Sequence, residues 1–369
     1  MKFIGLIVTV LAVIALAIGL DLYPEPVERS MLAADYDIAE LRSAYAGSPD
    51  TWPAPVIIRT EGEDEDFSEM AALPRVSTSS TPDLAELGEA LFFSPVLSAN
   101  EDIACASCHV PEHGFAATDR QAVGHQGMMG TRNAPGLLGV SLTAPYFWDG
   151  RADTLEAQAL GPILNPIEMA GSRTVLEERL NTRKEWRDWF ANTVGKQQIK
   201  LEDVAIAISA YERTLVQNTR FDAFLRGDNN ALTDQELQGL HLFRTKAQCM
   251  SCHDGQMLSD GQAHNIGLTY YGRRYQDRGI YERSGLAEDV GKFNTPSLRF
   301  ISQTAPYMHN GLFPHLRGIV NLYNAGGARP RRRDSQLDDP LFPQTSERLK
   351  PLELTSEERD ALVAFLETL

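Results

Sequence analysis

Cys105-Ala-Ser-Cys108-His109 and Cys249-Met-Ser-Cys252-His253 use all four cysteines of the 369-residue chain. Two thiols at this spacing can each add to a porphyrin vinyl group, and a histidine directly after them can reach iron through a ring nitrogen. Each pentad is thus the attachment pattern of a c-type haem. A four-thiolate zinc site needs no histidine after both pairs, and a redox dithiol needs none at all. The chain is therefore expected to carry two covalent haems, bound by Cys105, Cys108 and His109 and by Cys249, Cys252 and His253.

The pentads lie 144 residues apart, and the elements that must position them repeat. Apolar, helix-like stretches precede them at Leu84 to Phe93 and Leu232 to Phe243, the second opened by the capping pattern Thr233-Asp-Gln-Glu236. Downstream, residues 133–150 align without gaps on residues 294–311 at an offset of 161, with nine of 18 positions identical. The pattern predicts two haem domains related by internal duplication, over 83–228 and 229–369. Carrying the offset past Gly150 and Gly311 sets Tyr323, in the helix-like stretch Leu316 to Asn324, opposite Pro162. A phenolate oxygen can bind ferric iron, whereas a proline side chain offers no donor. The second haem is then closed by Tyr323 and the first is open, unless Tyr323 is a packed core aromatic. Between the repeats, Ala152 to Leu160 reads as a helix broken at Gly161-Pro162 and Asn165-Pro166, which leaves Glu168 on a loop.

From about Pro82 to Leu369 the sequence resembles the bacterial di-haem cytochrome c peroxidases and the related MauG enzymes. The likeness rests on both pentads, Phe147-Trp-Asp-Gly-Arg151, Gln158, Glu168 and Thr304-Ala-Pro-Tyr-Met-His309. It implies a mainly α-helical fold of two cytochrome c-like domains, with His109 on the peroxidatic haem and His253 on the electron-transfer haem. Trp148 resembles the residue coupling the two haems, and Gln158 and Glu168 the polar pair over the first. Asn133, with the carbonyls of Thr304 and Pro306, resembles an interdomain calcium site of few charges. His125 resembles the removable axial ligand of the peroxidases, so the first haem is either bound by His125 or open at rest. Tyr323, in contrast, resembles the MauG tyrosine where the peroxidases carry methionine. MauG also has a tryptophan two residues before its second pentad, where this chain has Ala247. His113 reads as a surface or supporting residue, Met128 and Met129 as poorer ligand candidates than His125, and His309 as the repeat partner of Trp148.

The resemblance implies an oxidoreductase that reduces hydrogen peroxide at the first haem, drawing electrons from a small cytochrome c-like donor through the second haem and Trp148. A MauG-like enzyme, using high-valent haem states to oxidise residues of a partner protein, is the alternative. A non-enzymatic electron carrier is a third reading. The net charge of −16 suits a cationic donor and excludes nucleic acid as a partner. Homodimer formation stays open.

Lys2 precedes an apolar run of 18 residues, Phe3 to Leu20, without a small-x-small cleavage site. At about 1.5 Å per residue it spans roughly 27 Å. It reads as an uncleaved membrane anchor, with a cleaved signal sequence as the alternative. Either places the globular part in the periplasm, and the absence of a further cysteine excludes a lipoprotein. Residues 21–82 are rich in proline, serine and acid, including Glu61-Gly-Glu-Asp-Glu-Asp66, and read as a linker or surface strap. The aromatics Tyr23, Tyr36, Tyr45 and Trp52 leave room for a structured extension.

Overall fold

The computed structural model describes residues 37–59, 67–75 and 81–369. The apolar run 3–20, Tyr23, Tyr36 and the acidic run 61–66 lie outside the described residues, and with them the anchor and signal readings. No described helix is long and apolar enough to cross a membrane.

Helices dominate. Ile38–Ala44 (α1) precedes a first group formed by Pro82–Phe93 (α2), Leu155–Leu164 (α3), Arg173–Thr182 (α4), Lys184–Val194 (α5) and Leu201–Glu212 (α6). A second group comprises Arg220–Leu225 (α7), Asp234–Arg244 (α8), Tyr281–Ser284 (α9), Leu316–Asn324 (α10) and Ser356–Leu366 (α11). Two short antiparallel strands, Ala263–His264 (β1) and Phe293–Asn294 (β2), set His264 opposite Phe293.

Each group is organised by one close helix crossing, α2 on α6 and α8 on α11. A Cβ at Gly88 of α2 would stand 1.9 Å from the Ala207 carbonyl oxygen, and one at Gly239 of α8 would stand 2.0 Å from that of Ala361. Only glycine permits either approach. Around these crossings lie two apolar cores. One contains Leu87, Leu91, Phe92, Phe190, Val204 and Ile208. The other contains Leu240, Phe243, Phe221, Phe365 and Leu362. Helix α8 starts where its capping pattern directs: Thr233 accepts from the Glu236 N–H, and the Glu236 carboxylate accepts from the Thr233 N–H.

The 161-residue offset recurs in the backbone. Tyr146 bridges to Ala152 as Tyr307 does to Phe313. Phe147 and Met308 both adopt left-handed φ, 66° and 71°. Helices α3 and α10 begin at Leu155 and Leu316.

Helix α3 corrects the expected 152–160 helix. It starts later, because Thr154 caps it by accepting from the Ala157 N–H at 3.1 Å. It also runs through Gly161-Pro162 to Leu164. Pro162 sits near the end, where one missing N–H is tolerable, and the Asn165 N–H still closes the last turn on the Gly161 carbonyl at 3.0 Å. Asn165, ahead of Pro166, is the stop.

Segments 37–59 and 67–75 form a folded strap. Leu41, Tyr45, Trp52 and Met70 are buried in the second core and Leu73 in the first. The strap is fastened by Arg244, fully buried, which pairs with Glu69 and donates to the Pro53 carbonyl at 2.9 Å. Tyr45 reaches His241 at 3.0 Å, and the Ile58 N–H donates to Ser251 inside the second pentad at 2.9 Å.

Candidate active site

One continuous cavity of about 740 Å³ is lined by both pentads, reaching from His109 to His253. Each pentad winds into a short 3₁₀ turn, Cys105–Ser107 and Cys249–Ser251, that delivers its histidine to the cavity. His109 Nδ1 lies 2.9 Å from the Phe115 carbonyl oxygen, and His253 Nδ1 lies 2.9 Å from that of Leu258. A carbonyl only accepts, so Nδ1 carries the proton and Nε2 is left as the free ligand atom in both rings. Burial holds both imidazoles below their usual range, favouring the neutral, metal-binding form. Burial likewise pushes the Cys105 and Cys249 thiols up to about 12. Paired thiols, neutral histidines with one free nitrogen each, and a large cavity joining them fit two haems.

Helix α3 and the turn after it bring Gln158, Pro162 and Glu168 to the cavity. Burial raises the pKa of the Glu168 carboxyl, against an Asn165 amide donating at 2.6 Å and the nearby Arg151 charge. The group is thus poised to take up and release a proton. Tyr323, on α10, lines the same cavity near Cys249 and Cys252, and burial raises its phenol pKa.

His125 does not line the cavity. Its N–H donates to the Ile167 and Glu168 carbonyls at 3.0 and 2.8 Å, and its Nδ1 is buried without a hydrogen-bond partner among the described residues. A Cβ at Gly124 would fall 2.1 Å from the Ile167 carbonyl oxygen, so this loop lies directly on the backbone that carries Glu168. Met128 and Met129 are exposed at the loop tip.

Also on the cavity lining, the Trp148 indole donates to the Asn133 carbonyl at 2.9 Å. Its ring meets that of His309 edge-on at 6.3 Å, and His309 stacks on Phe293 at 3.7 Å. His309 and Trp148, partners in the repeat, are therefore also partners in space. The Asn133 side-chain amide donates to the Asp119 carbonyl at 3.1 Å, so Oδ1 is the atom it can offer a cation; Thr304 and Pro306 line the cavity beside it. His113 bonds the Ala305 carbonyl between those two residues.

Three participants escaped the sequence reading. Arg132 pairs with Asp277 at 2.7 Å and with Asp149 at 2.6 Å, and Asp149 also receives Arg151 at 2.8 Å. Burial disfavours both carboxylates, and Arg132 outweighs it, holding each below the usual range. This chain of charges flanks Trp148 and ties the first half to the second. Asp149 and Arg151 were legible in their motif, but Arg132 and Asp277 lie 145 residues apart and share no pattern. The third is Glu212, buried at the end of α6 on the cavity wall.

Comparison with known proteins bears on this geometry. The model of the di-haem cytochrome c peroxidase family matches residues 82–230. Cytochrome-c peroxidase IdrP1 of Pseudomonas sp. (strain SCT) is 34% identical over 334 residues, covering 81% of this chain and 85% of that protein. The chain belongs to the di-haem cytochrome c peroxidase and MauG family. Methylamine utilization protein MauG of Methylorubrum extorquens is similar to this peroxidase-family chain at 35% identity over 291 residues, covering 78% of each. Among solved structures, a MauG-like protein associated with microbial copper homeostasis superposes with a TM-score of 0.70 at 28% identity, over 84% of this chain and 95% of that one. The diheme peroxidase BthA of Burkholderia thailandensis E264 gives a TM-score of 0.63 at 26% identity, over 83% and 95%. As a family member this protein is a peroxidase-type oxidoreductase with haem cofactors, and its helical fold is that of its solved relatives.

Proposed function

We propose that this protein reduces hydrogen peroxide at the His109 site with electrons delivered through the His253 site from a cytochrome c-like donor, and that it works in the periplasm. The observation that carries the reading is the asymmetry of the cavity: Pro162 offers no ligand on the side facing Glu168 and Gln158, whereas Tyr323 stands at the corresponding place in the second half.

A haem attached to Cys105 and Cys108 and held by His109 would supply the iron at which the peroxide O–O bond is broken. Glu168 takes the proton from the oxygen nearer His109 and returns it to the departing oxygen, which leaves as water. Its raised pKa suits both halves of that transfer. Asn165 holds the carboxylate in place at 2.6 Å, and Gln158, one helical turn before Pro162, supplies an amide to orient the substrate. Trp148, in ring contact with His309 on the cavity lining, passes the electron from the second haem to the first. Asn133, Thr304 and Pro306 would hold a calcium ion through oxygen atoms and so fix the spacing of the halves.

Tyr323 gives the MauG-like reading its own support, since an anionic oxygen ligand stabilises oxidised iron. Peroxide-dependent oxidation of reduced cytochrome c, with Glu168→Gln alongside, separates the two. Catalytic turnover that falls by roughly 10²- to 10⁴-fold in Glu168→Gln supports peroxide reduction. Turnover unchanged in Glu168→Gln removes the proton-transfer role. Negligible turnover in the native protein, despite a fast spectral response to peroxide, moves the assignment to oxidation of a partner protein.

A further inference from the structure

Helix α6 carries a buried apolar stripe through Leu201, Val204, Ala205 and Ile208, and that stripe ends on Glu212. The residue is 4% exposed, yet one carboxylate oxygen, Oε2, has no hydrogen-bond partner among the described residues. An unpaired buried carboxyl is costly and needs a reason. The cation that acts on it, Arg213, is engaged elsewhere. The adjacent Arg213 turns away to Glu156 of α3 at 2.7 Å, at the half-exposed rim. Glu212 also occupies the last position of a twelve-residue helix, where the backbone dipole disfavours negative charge.

The other groups that share its field are Cys105 of the first attachment turn and Tyr146 of the loop before α3, both of which feel its charge. Helix α2 brings Glu89 beside Tyr211, one residue earlier, and α4 meets α6 at its far end through Glu177 and Arg173. Burial, against the partial help of Arg213 and reinforced by Glu156, pushes the Glu212 carboxyl up to about 8. It is therefore mostly a neutral acid near neutral pH, standing on the wall of the first haem cavity at the Cys105 edge.

We infer that Glu212 is a redox-linked proton site of the first haem, binding its proton more tightly when that haem accepts an electron and less tightly when the electron leaves. Each electron that reaches the iron is offset in part by proton uptake from solvent at the carboxylate, at most about half a proton for a tenfold change in affinity. The electron comes from the same donor that serves peroxide reduction, and the half-exposed Glu156–Arg213 pair adjoins the site on its solvent side. The inference rests on the haem at His109 proposed above. It differs from the role of Glu168, which acts on peroxide. With unit charges on the order of 10 Å apart at an effective dielectric of about 20, Coulomb's law sets the linkage at roughly tenfold in proton affinity between the oxidised and reduced states.

The test is a spectroelectrochemical titration of the di-haem protein between pH 6 and pH 9, following the first haem by its own absorption. At fixed applied potential the reduced-to-oxidised ratio of the native protein falls about tenfold across this range, equivalent to about 59 mV for one electron. Glu212→Gln and Glu212→Leu flatten the dependence, while Glu168→Gln keeps it. Proton uptake on reduction, read with an indicator dye in weak buffer, is a second measure that needs no variant. A flat native titration without proton uptake, or a Glu212→Gln protein with the native slope, overturns the inference. Peroxide turnover measured on the same samples keeps the two proposals apart. Turnover with a flat titration sinks only the proton site, and a slope abolished by Glu212→Gln in a protein without turnover sinks only the peroxidase reading.

Discussion

Replacing Arg132 by methionine keeps the apolar length of the side chain and removes the cation between Asp149 and Asp277. The three side chains are 17%, 10% and 12% exposed, so water can restore little of the lost solvation. Deleting one partner of such a buried pair costs about 3–5 kcal/mol, because it strands the opposite charge. The loss is not doubled, since Asp149 keeps Arg151 at 2.8 Å and Asp277 keeps the Gly279 N–H at 2.9 Å. In the native protein both carboxyls sit below their ordinary value of 3.8, so their contribution to stability is full above that value and is lost as pH falls through the depressed pKa. In Arg132→Met burial acts with much less opposition and both carboxyls move upward. The deficit relative to the native protein is therefore largest at neutral pH and shrinks on acidification. Urea unfolding of haem-loaded protein at pH 7 and pH 4.5, followed by circular dichroism, reads this directly. Electron exchange between the haems, measured by flash photolysis, slows with it, because Asp149 adjoins Trp148. A loss below about 1 kcal/mol, or one equal at both pH values, refutes the reasoning.

Three other perturbations have defined outcomes. Asn165→Ala removes the amide that stabilises ionised Glu168, so the acid limb of the pH–rate profile moves to higher pH and turnover at pH 5 falls roughly tenfold, as expected for a lost charge-assisted hydrogen bond. With Tyr323 as the proposed oxygen ligand of the second haem, Tyr323→Met puts a thioether in its place and raises that haem's potential by on the order of a hundred millivolts; an unchanged potential in a redox titration removes Tyr323 from the iron. Arg244→Met strands Glu69 and frees the Pro53 carbonyl, costing about 3–5 kcal/mol and opening the strap to limited proteolysis while peroxide turnover of the intact protein persists.

What was legible in the sequence was local or periodic. The pentads carry their chemistry in five residues, α8 announces itself by a capping box, and α10 spans the residues its pattern predicts. The offset of 161 placed Tyr323 against Pro162 because both follow a shared run of eighteen residues without an insertion. Helix α3 was misjudged at its start because Thr154 caps it, and at its end for a different reason. Proline was weighted as a breaker, although a single missing N–H near the last turn costs little when the following N–H groups find carbonyls. The strap was harder: its proline and acidic content reads as unstructured, and only contacts some 190 residues away, such as Tyr45 with His241, show why it folds. Glu212 did leave a trace, a carboxylate in register with Val204 and Ile208 on an otherwise apolar stripe. That register becomes informative once the cavity beyond it is known.

The second half bears on what kind of oxidant the protein can be. A route that drew electrons from a bound protein through position 247 would need an oxidisable side chain there. Ala247 has none, and it is 5% exposed within the second core. The Tyr45–Trp52 pair, whose ring centroids are 5.1 Å apart, packs in that same core, with Trp52 beside the Arg244 guanidinium. A cation beside the indole opposes the positive charge that electron loss would create, so Trp52 is a poor substitute relay. Neither position 247 nor Trp52 thus serves a route for oxidising a partner protein. In the first half, the Glu168 and Gln158 pair already faces a position with no ligand of its own. Both features accord with the function proposed above, in which a small substrate enters the cavity and electrons arrive through the second half.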